Sequence, residues 1–387
     1  MMIYYEFLII IKNSKKYYDK MTELSTKPVK FLTIGDPHFK TKNKKETELF
    51  AKRSVEVANE LKPDFLVILG DTLDTHEKIH VVPLTQAINW IEEISKNIKT
   101  FLLIGNHDRP NNSDFLSQYH PFNGLKDNPN ICVVDEIKSE TIHDHNFLFV
   151  PYVPPGRFID ALSTKIDLET IKDYTTIFAH QEFFGAKMGA IISKEGDKWP
   201  LTNPLIVSGH IHDYNKPQEN IIYVGTPMQH AFGDSSHKTV SLFTIHHPEK
   251  IIGNLENGVL EQAETVKENI FEYRIDLKLP KKRIYRLTPQ EVLTWTPPEN
   301  SLVKVVISGT NAEIKATSKL EQTKEWIKKG IKVDYKTIDD HEGITTVTEL
   351  QYQPNKKFVD ILAERINNQP EMVEWYMKLF ANYGSQP

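Results

Sequence analysis

Asp36 and His38 in GDPH, Asp71 in GDTLD, Asn106, His107 and Asp108 in GNHD, His180 in AHQ, and His210 and His212 in GHIH each follow a short apolar run. Carboxylates, imidazoles and an amide oxygen, with no cysteine among them, suit borderline ions such as manganese, iron or zinc. Calcium prefers an all-oxygen cage. At roughly four protein ligands per ion, as for zinc, the set is large enough for two ions. Asp36, His38 and His212 would hold one, Asn106, His180 and His210 the other. Asp71 would bridge them, because a bridge between two cations must be anionic. Two ions about 3.5–4 Å apart can activate a water while neutralising phosphate oxygens, the arrangement for in-line displacement at a phosphoester. His107 stands beside a ligand without being needed as one. As a cation it could protonate the leaving oxygen or stabilise charge on the phosphorane, with Asp74 or Asp108 near enough in sequence to orient it.

Taken singly, GDPH and GDTLD are turns and GHIH is a strand end with exposed histidines. Taken together they resist that reading, because independent turns have no reason to present these donors in this order, each just after an apolar strand. Other histidines fail the same test. His143 and His145 in TIHDHNF lie between two strand-like runs and read as a polar hairpin turn. His76, His80, His120, His237, His246, His247 and His341 read as surface or loop residues, and His230, after GTPMQ, stands beside the expected crevice.

The elements that must position these side chains are the runs VKFLTIG, DFLVILG, TFLLIG, TTIFAH, LIVSGH and IIYVG. Between the first two, Phe50, Ser54, Val57, Ala58 and Leu61 share a helical face; between the next two, Leu84, Ala87, Ile88, Ile91 and Ile94 do. The pattern is βαβαβ and predicts an open α/β sheet. The carboxyl ends of its strands border one crevice, so donors far apart in sequence converge there. Near residue 270 the texture changes: FEYRIDLKL, LVKVVISG and IKVDYKTI read as strands and residues 317 to 329 as a helix, a small second α/β domain. Phe358, Ile361, Leu362 and Ile366, then Met372, Val373, Tyr376, Leu379 and Phe380, mark two amphipathic helices across the break at Asn367 to Pro370. The expected division is a tail over 1–28, a catalytic domain over 29–265, a capping domain over 266–345 and a helical hairpin over 346–387. Patterned sequence begins only at Val29, so Met21 is an alternative start to Met1.

With 387 residues, 39% hydrophobic and 26% charged, the chain reads as a multi-domain globular protein, and no apolar run is long enough to span a bilayer. A lone cysteine, Cys132, excludes an internal disulfide framework and points to a reducing compartment, cytoplasm or nucleus. Net charge of −5 supplies no global basic field toward nucleic acid. The cluster Lys281, Lys282, Arg283 and Arg286 is either a local phosphate contact or a solvated basic turn.

In this order GDPH, GDTLD, GNHD, AHQ and GHIH resemble the calcineurin-like metallophosphoesterase superfamily over roughly residues 29 to 245. GDTLDTHE and GNHD, in place of the Arg-Gly and GNHE of its protein phosphatases, shift the resemblance toward phosphodiesterases and nucleases. The segment YVGTPMQHAFGD, Tyr223 to Asp234, is similar to the stretch after the last metal motif in SbcD-type nucleases, their meiotic recombination eleven counterparts and the T-even phage recombination nuclease. AHQEFFGAKMG resembles the phage or viral branch.

That resemblance implies a metallophosphoesterase core, β-sandwich-like and flanked by helices, with a capping domain and C-terminal helices behind it. It implies a manganese-dependent nuclease, a 3′ to 5′ exonuclease on duplex ends and an endonuclease on single strands, acting on DNA in double-strand-break repair or recombination. Asp36, His38, Asp71, Asn106, His180, His210 and His212 fall at the family's ligand positions and His107 at its catalytic histidine. Asp74 stands where several members carry a histidine that supports exonuclease action, and Phe39 where a small residue is common. The implied partners are a second copy of the chain and a coiled-coil ATPase of the SbcC or Rad-fifty type, docked on the C-terminal helices. The competing readings are a phosphodiesterase acting on a small cyclic nucleotide or similar ester and a catalytically silent scaffold. The complete donor set argues against the second.

Overall fold

The computed structural model describes residues 28–76, 78–245, 255–261 and 264–338. The helical hairpin expected over 346–387, the tail before Pro28, and His246, His247 and His341 lie outside them.

The apolar runs divide between two sheets. The first is eight-stranded and runs β14 (Val259–Leu260), β16 (Ile270–Asp276), β13 (Val240–Ile245), β1 (Val29–Ile34), β2 (Phe65–Ile68), β3 (Lys99–Leu103) and β4 (Ile131–Val134), with β15 (Glu264–Lys267) also paired to β16. The second is six-stranded: β11 (Asn215–Gln218), β12 (Ile221–Tyr223), β10 (Leu205–Gly209), β7 (Thr176–His180), β6 (His145–Val150) and β5 (Lys138–Ile142). Thus β1 to β4 are parallel neighbours, as the βαβαβ pattern requires, whereas TTIFAH, LIVSGH and IIYVG build a separate parallel trio. The two sheets form the sandwich that the family resemblance implies, where the βαβαβ pattern alone predicts an open sheet. Side-chain alternation shows why: Phe31, Phe65, Val67 and Phe101 of the first sheet share one core with Phe147, Phe149, Phe178 and Val207 of the second. Phe31 stacks on Phe65 at 5.2 Å and on Phe243 at 5.1 Å, and meets Phe178 edge-on at 5.2 Å.

The intervening residues of β1 and β2, Leu32, Ile34, Leu66 and Ile68, face the opposite way, onto helices α1 (Lys44–Leu61) and α2 (Val81–Ile94). The buried face of α1 includes Phe50, Ser54, Val57, Ala58 and Leu61, as its periodicity predicts. On α2, Trp90 also turns inward and donates Nε1–H to Ser54 Oγ at 2.9 Å. Helix α3 (Phe158–Ser163) covers the outer face of the second sheet with Phe158, Ala161 and Leu162. Strands buried on both faces are what the unbroken apolar runs encode. The TIHDHNF segment forms the tight β5–β6 turn, with His143 and Asp144 at φ 47° and 66°.

A third sheet, β17 (Lys281–Leu287), β18 (Ser301–Gly309) and β19 (Lys332–Thr337), has its own core of Leu287, Val303, Val305, Ile307 and Trp326, the last on helix Glu321–Lys328. The basic cluster lies on β17, which pairs in parallel with β18, so it is a strand and not a turn. FEYRIDLKL, read as opening the second domain, supplies β16 and pairs with β13 in the large sheet. Sandwich and third sheet, up to Lys336, belong to one compact unit, residues 310–312 excepted. The chain is thus mixed α/β. Among the described residues no helix is long and apolar enough to cross a membrane. Strand pair β8 (Lys187–Met188) and β9 (Ile191–Ile192) completes the set.

Candidate metal centre

At the carboxyl ends of the parallel strands the chain turns sharply, and four donor residues adopt left-handed backbone: Asp36 at φ 29°, His38 at 45°, Asp71 at 46° and His210 at 82°. Non-glycine residues seldom occupy this region, and clusters of such strain mark functional sites. The glycines in front of the donors answer to crowding. A Cβ on Gly70, itself at φ +96°, would lie 2.5 Å from His180 Nδ1, and one on Gly209 would lie 2.6 Å from Asp36 Oδ1. GD and GH are dipeptides because only a bare Cα lets the two sheets' ends close on one another.

Two groups of donor atoms result, Asp36 with His38 and His212, and Asp71 with His180 and His210, each set lying within 4.8 Å of one another. Asn106 completes the second, its Oδ1 at 2.9 Å from His180 Nε2 and 3.0 Å from His210 Nδ1. Asp71 stands between them: Oδ2 is 3.8 Å from His38 Nε2 and Oδ1 is 3.3 Å from His180 Nε2. The seven expected ligands are therefore brought together at one place.

The hydrogen bonds behind these donors fix which atoms point inward. His38 donates Nδ1–H to Leu73 O at 3.1 Å and His180 donates Nδ1–H to Leu69 O at 2.7 Å, since a carbonyl can only accept. In the neutral ring each Nε2 is then a lone pair turned into the site, as in metal-binding histidines whose other ring N–H is held by a carbonyl. There His38 Nε2 faces His212 Nε2 at 3.0 Å, and Asp36 Oδ2 is buried without any hydrogen-bond donor. Lone pairs and a carboxylate oxygen this close repel unless a cation sits among them. The donor set fits two divalent cations.

Electrostatics agree. Burial drives the imidazoles of His38 and His210 down to about 3 and lowers His212, so all three are neutral and present lone pairs at pH 7. Burial also pushes Asp36 up to about 7. Asp71 goes the other way: burial raises it, but His180, His38 and His107 together outweigh burial and hold it well below the usual carboxylate range. Burial lowers His180, yet Asp71 and Asp36 hold it up to about 9. Without metal, a proton on His180 compensates the Asp71 charge; ligation requires its release.

His107 occupies the rim, its ring edge-on to His38 at 5.1 Å and its Nε2 at 4.0 Å from Asp71 Oδ2. It is oriented by Asp74, but through the main chain: Nδ1–H donates to Asp74 O at 2.9 Å. The Asp74 carboxylate instead accepts from Lys40 Nζ at 2.9 Å. Asp108 does not orient His107. Its buried carboxylate accepts main-chain N–H groups of Thr72 at 3.2 Å, Leu73 at 2.9 Å and Gly105 at 3.0 Å, tying together the two loops that carry Asp71 and His107. Burial raises Asp108 to about 6.

Two further histidines lie at the site, His76, read from sequence as a surface or loop residue, and His230, read as standing beside the crevice. His76 stacks on His107 at 4.4 Å between ring centroids. His230 approaches Asp36 O through Nε2 at 3.0 Å and packs edge-on against His38 at 5.0 Å. Only for His230 did sequence hold a signal, its place just after GTPMQ. The Phe39 ring is buried against Phe50 and Trp90, and its N–H donates to Thr72 O at 2.8 Å, beside Asp71.

Comparison with known proteins supplies a context for this geometry. The profile described as calcineurin-like phosphoesterase matches residues 29–214. Protein 078R of Invertebrate iridescent virus 3 is 39% identical over 343 residues, covering 87% of this chain and 92% of its own. Protein 244L of Invertebrate iridescent virus 6 is 41% identical over 293 residues, covering 75% of this chain and 97% of its own. Each carries a phosphoesterase name. Among solved structures the phosphoesterase Yfce from E. coli aligns over 56% of this chain and 91% of that one, at 11% identity and a TM-score of 0.27.

Proposed function

Because the chain belongs to the calcineurin-like phosphoesterase family, hydrolases that act on phosphoester bonds with divalent metals, we propose that its ester is the DNA backbone and its ions are manganese. What carries the reading is the segment Tyr223 to Asp234, similar to the nuclease branch, together with what that segment touches. Thr226 N–H donates to His212 O at 3.0 Å, and His230 reaches Asp36 O. Gln229 exchanges hydrogen bonds with the main chain of Lys282 on β17, at 3.2 and 2.6 Å. The segment thus leans on both the donor cluster and the third sheet, an addition that a small-ester enzyme has little need of. Similarity to 078R also extends over 343 residues, well past the 29–214 match.

Asp36, His38 and His212 would hold one ion and Asn106, His180 and His210 the other, with Asp71 shared between the two groups. Ions bound there would supply Lewis acidity toward the phosphate oxygens. The chain's own contribution to bond cleavage is His107. With Nδ1–H committed to Asp74 O, its Nε2 carries the proton delivered to the leaving sugar oxygen as a water molecule bonds to phosphorus, the bond from phosphorus to that sugar oxygen breaks and the water's own proton passes to solvent. A second copy of the chain and a coiled-coil ATPase docked on residues 346–387 complete the working nuclease. Deleting 355–387 should abolish co-purification with that ATPase while manganese-dependent nicking persists.

The test is to incubate purified full-length chain and manganese with a blunt linear duplex, a single-stranded circle and a cyclic nucleotide. Shortening of the duplex from its 3′ ends and nicking of the circle are expected. Hydrolysis of the cyclic nucleotide with both DNAs intact would overturn the nuclease reading in favour of a small phosphodiesterase.

A further inference from the structure

Beside His107 a cleft of ≈ 280 Å³ is lined by Thr75, Ile79, His107, Arg109, Tyr119 and Pro121, among others. Its lining is unlike that of the donor cluster. Ile79 is 41% exposed and Tyr119 76% exposed, so both stand open to a ligand at the edge of the reaction centre. Arg109, by contrast, is 3% exposed and forms no salt bridge among the described residues. Its guanidinium donates to the main-chain oxygens of Tyr152, at 2.7 Å, and Asp114, and lies over the Tyr152 ring at 5.4 Å, with the Asp114 carboxylate acting on its charge. Arg109 therefore braces the cleft from behind. The cleft thus sets an exposed tyrosine beside His107, which belongs to both the cleft and the cluster.

We propose that this cleft is the subsite for the nucleobase next to the scissile phosphate, with Tyr119 as its stacking platform. The inference rests on the nuclease reading above. The volume lies just below the range of about 300–1,000 Å³ that holds drug-sized ligands, which is room for one ring system and not for a long chain. Ile79, Pro110 and Pro121 offer apolar contact to its face. Side chains able to read a base edge are few. The Asp108 carboxylate is committed to three main-chain N–H groups and the Thr75 hydroxyl donates to Lys78 O at 2.8 Å. Stacking without edge readout recognises that a base is present, not which base.

The experiment compares manganese-dependent cleavage of two single-stranded oligonucleotides, one of thymidine residues and one in which those residues are abasic tetrahydrofurans. Wild type should cleave the base-bearing strand with kcat/KM about tenfold higher, the scale of one base–aromatic stack. An adenine strand should match thymidine within about threefold. Tyr119→Ala should bring the base-to-abasic ratio close to one, and Tyr119→Phe, which keeps the ring, should restore it. Unchanged thermal unfolding and metal content would show that the variants are folded. A wild type indifferent to the base, or a Tyr119→Ala chain that slows both strands with the ratio intact, would overturn the subsite. Failure of wild type to cleave either strand while it hydrolyses a cyclic nucleotide would instead remove the nuclease reading, and the subsite with it.

Discussion

The two sheets bring different chemistry to one centre. The first supplies the oxygen donors, Asp36, Asp71 and Asn106, along with His38 and His107; the second supplies only imidazoles, His180, His210 and His212. Neither sheet can complete a group alone. Asp36 and His38 need His212 from the opposite sheet, and Asp71 needs His180 and His210. The carboxylates come from the first sheet, while the second contributes only imidazoles. Metal bound to both groups would therefore cross-link the halves of the sandwich.

If the bridge is what unites the halves, Asp71→Asn should be the most damaging substitution. It is nearly isosteric, so packing survives, but the anion between the cations is lost. We expect turnover to fall below detection and bound metal, measured by elemental analysis, to drop. Wild-type metal content and rate would show that the bridging charge is dispensable. His107→Ala sharpens the division within the first sheet, because it removes a proton donor and no ligand. The expected result is a loss of about 10²–10⁴-fold in kcat with metal content unchanged. Loss of metal instead would make His107 a ligand.

How much of this was legible in the sequence differs between the halves in an instructive way. Asp36, Asp71, Asn106 and His210 were visible because glycine followed by Asp, Asn or His after an apolar run records a steric demand, as at Gly70 and Gly209, and His38, His107, His180 and His212 stood out only by lying at or just beyond the same strand ends. The partition into two sheets was not, since DFLVILG and LIVSGH are buried on both faces and read alike whichever sheet receives them. Orientation of His107 by Asp74 O was equally hidden, because every residue has a carbonyl and none advertises it. His76 escaped because its nearness to His107 comes from a loop path, not a periodicity. The strand β17 was concealed by charge: KKRIYRL buries only Lys282 and Leu287, and the Lys282 ammonium is satisfied by Glu46 at 2.9 Å and His230 O at 3.1 Å.

The cross-link idea makes a prediction about the fold itself. Ions that bind the closed site but not the unfolded chain stabilise by mass action, about 2.7 kcal/mol at a hundredfold excess over Kd. Chelation should accordingly lower the Tm by about 5 °C or more, read by calorimetry with and without manganese. A Tm indifferent to metal would mean that the sheets close equally well unaided.

The smallest effect isolates closeness between the sheets from backbone conformation alone. Gly70 and Gly156 both have positive φ, +96° and +80°, so alanine at either costs about 1–2 kcal/mol for the left-handed backbone. They differ in surroundings. A Cβ at Gly156 meets nothing within 4 Å, whereas at Gly70 it meets His180 Nδ1 at 2.5 Å and Gly105 Cα at 2.9 Å. His180 cannot retreat without giving up its 2.7 Å bond to Leu69 O, and that bond is what turns its Nε2 toward Asp71. Gly70→Ala should therefore unfold more readily than Gly156→Ala by about 1–2 kcal/mol, of the order of one lost buried hydrogen bond, and should also weaken manganese binding. Gly156→Ala should leave manganese affinity at its wild-type value. Equal destabilisation and equal metal affinity in the two variants would mean that the approach of the second sheet to Gly70 contributes nothing to the site.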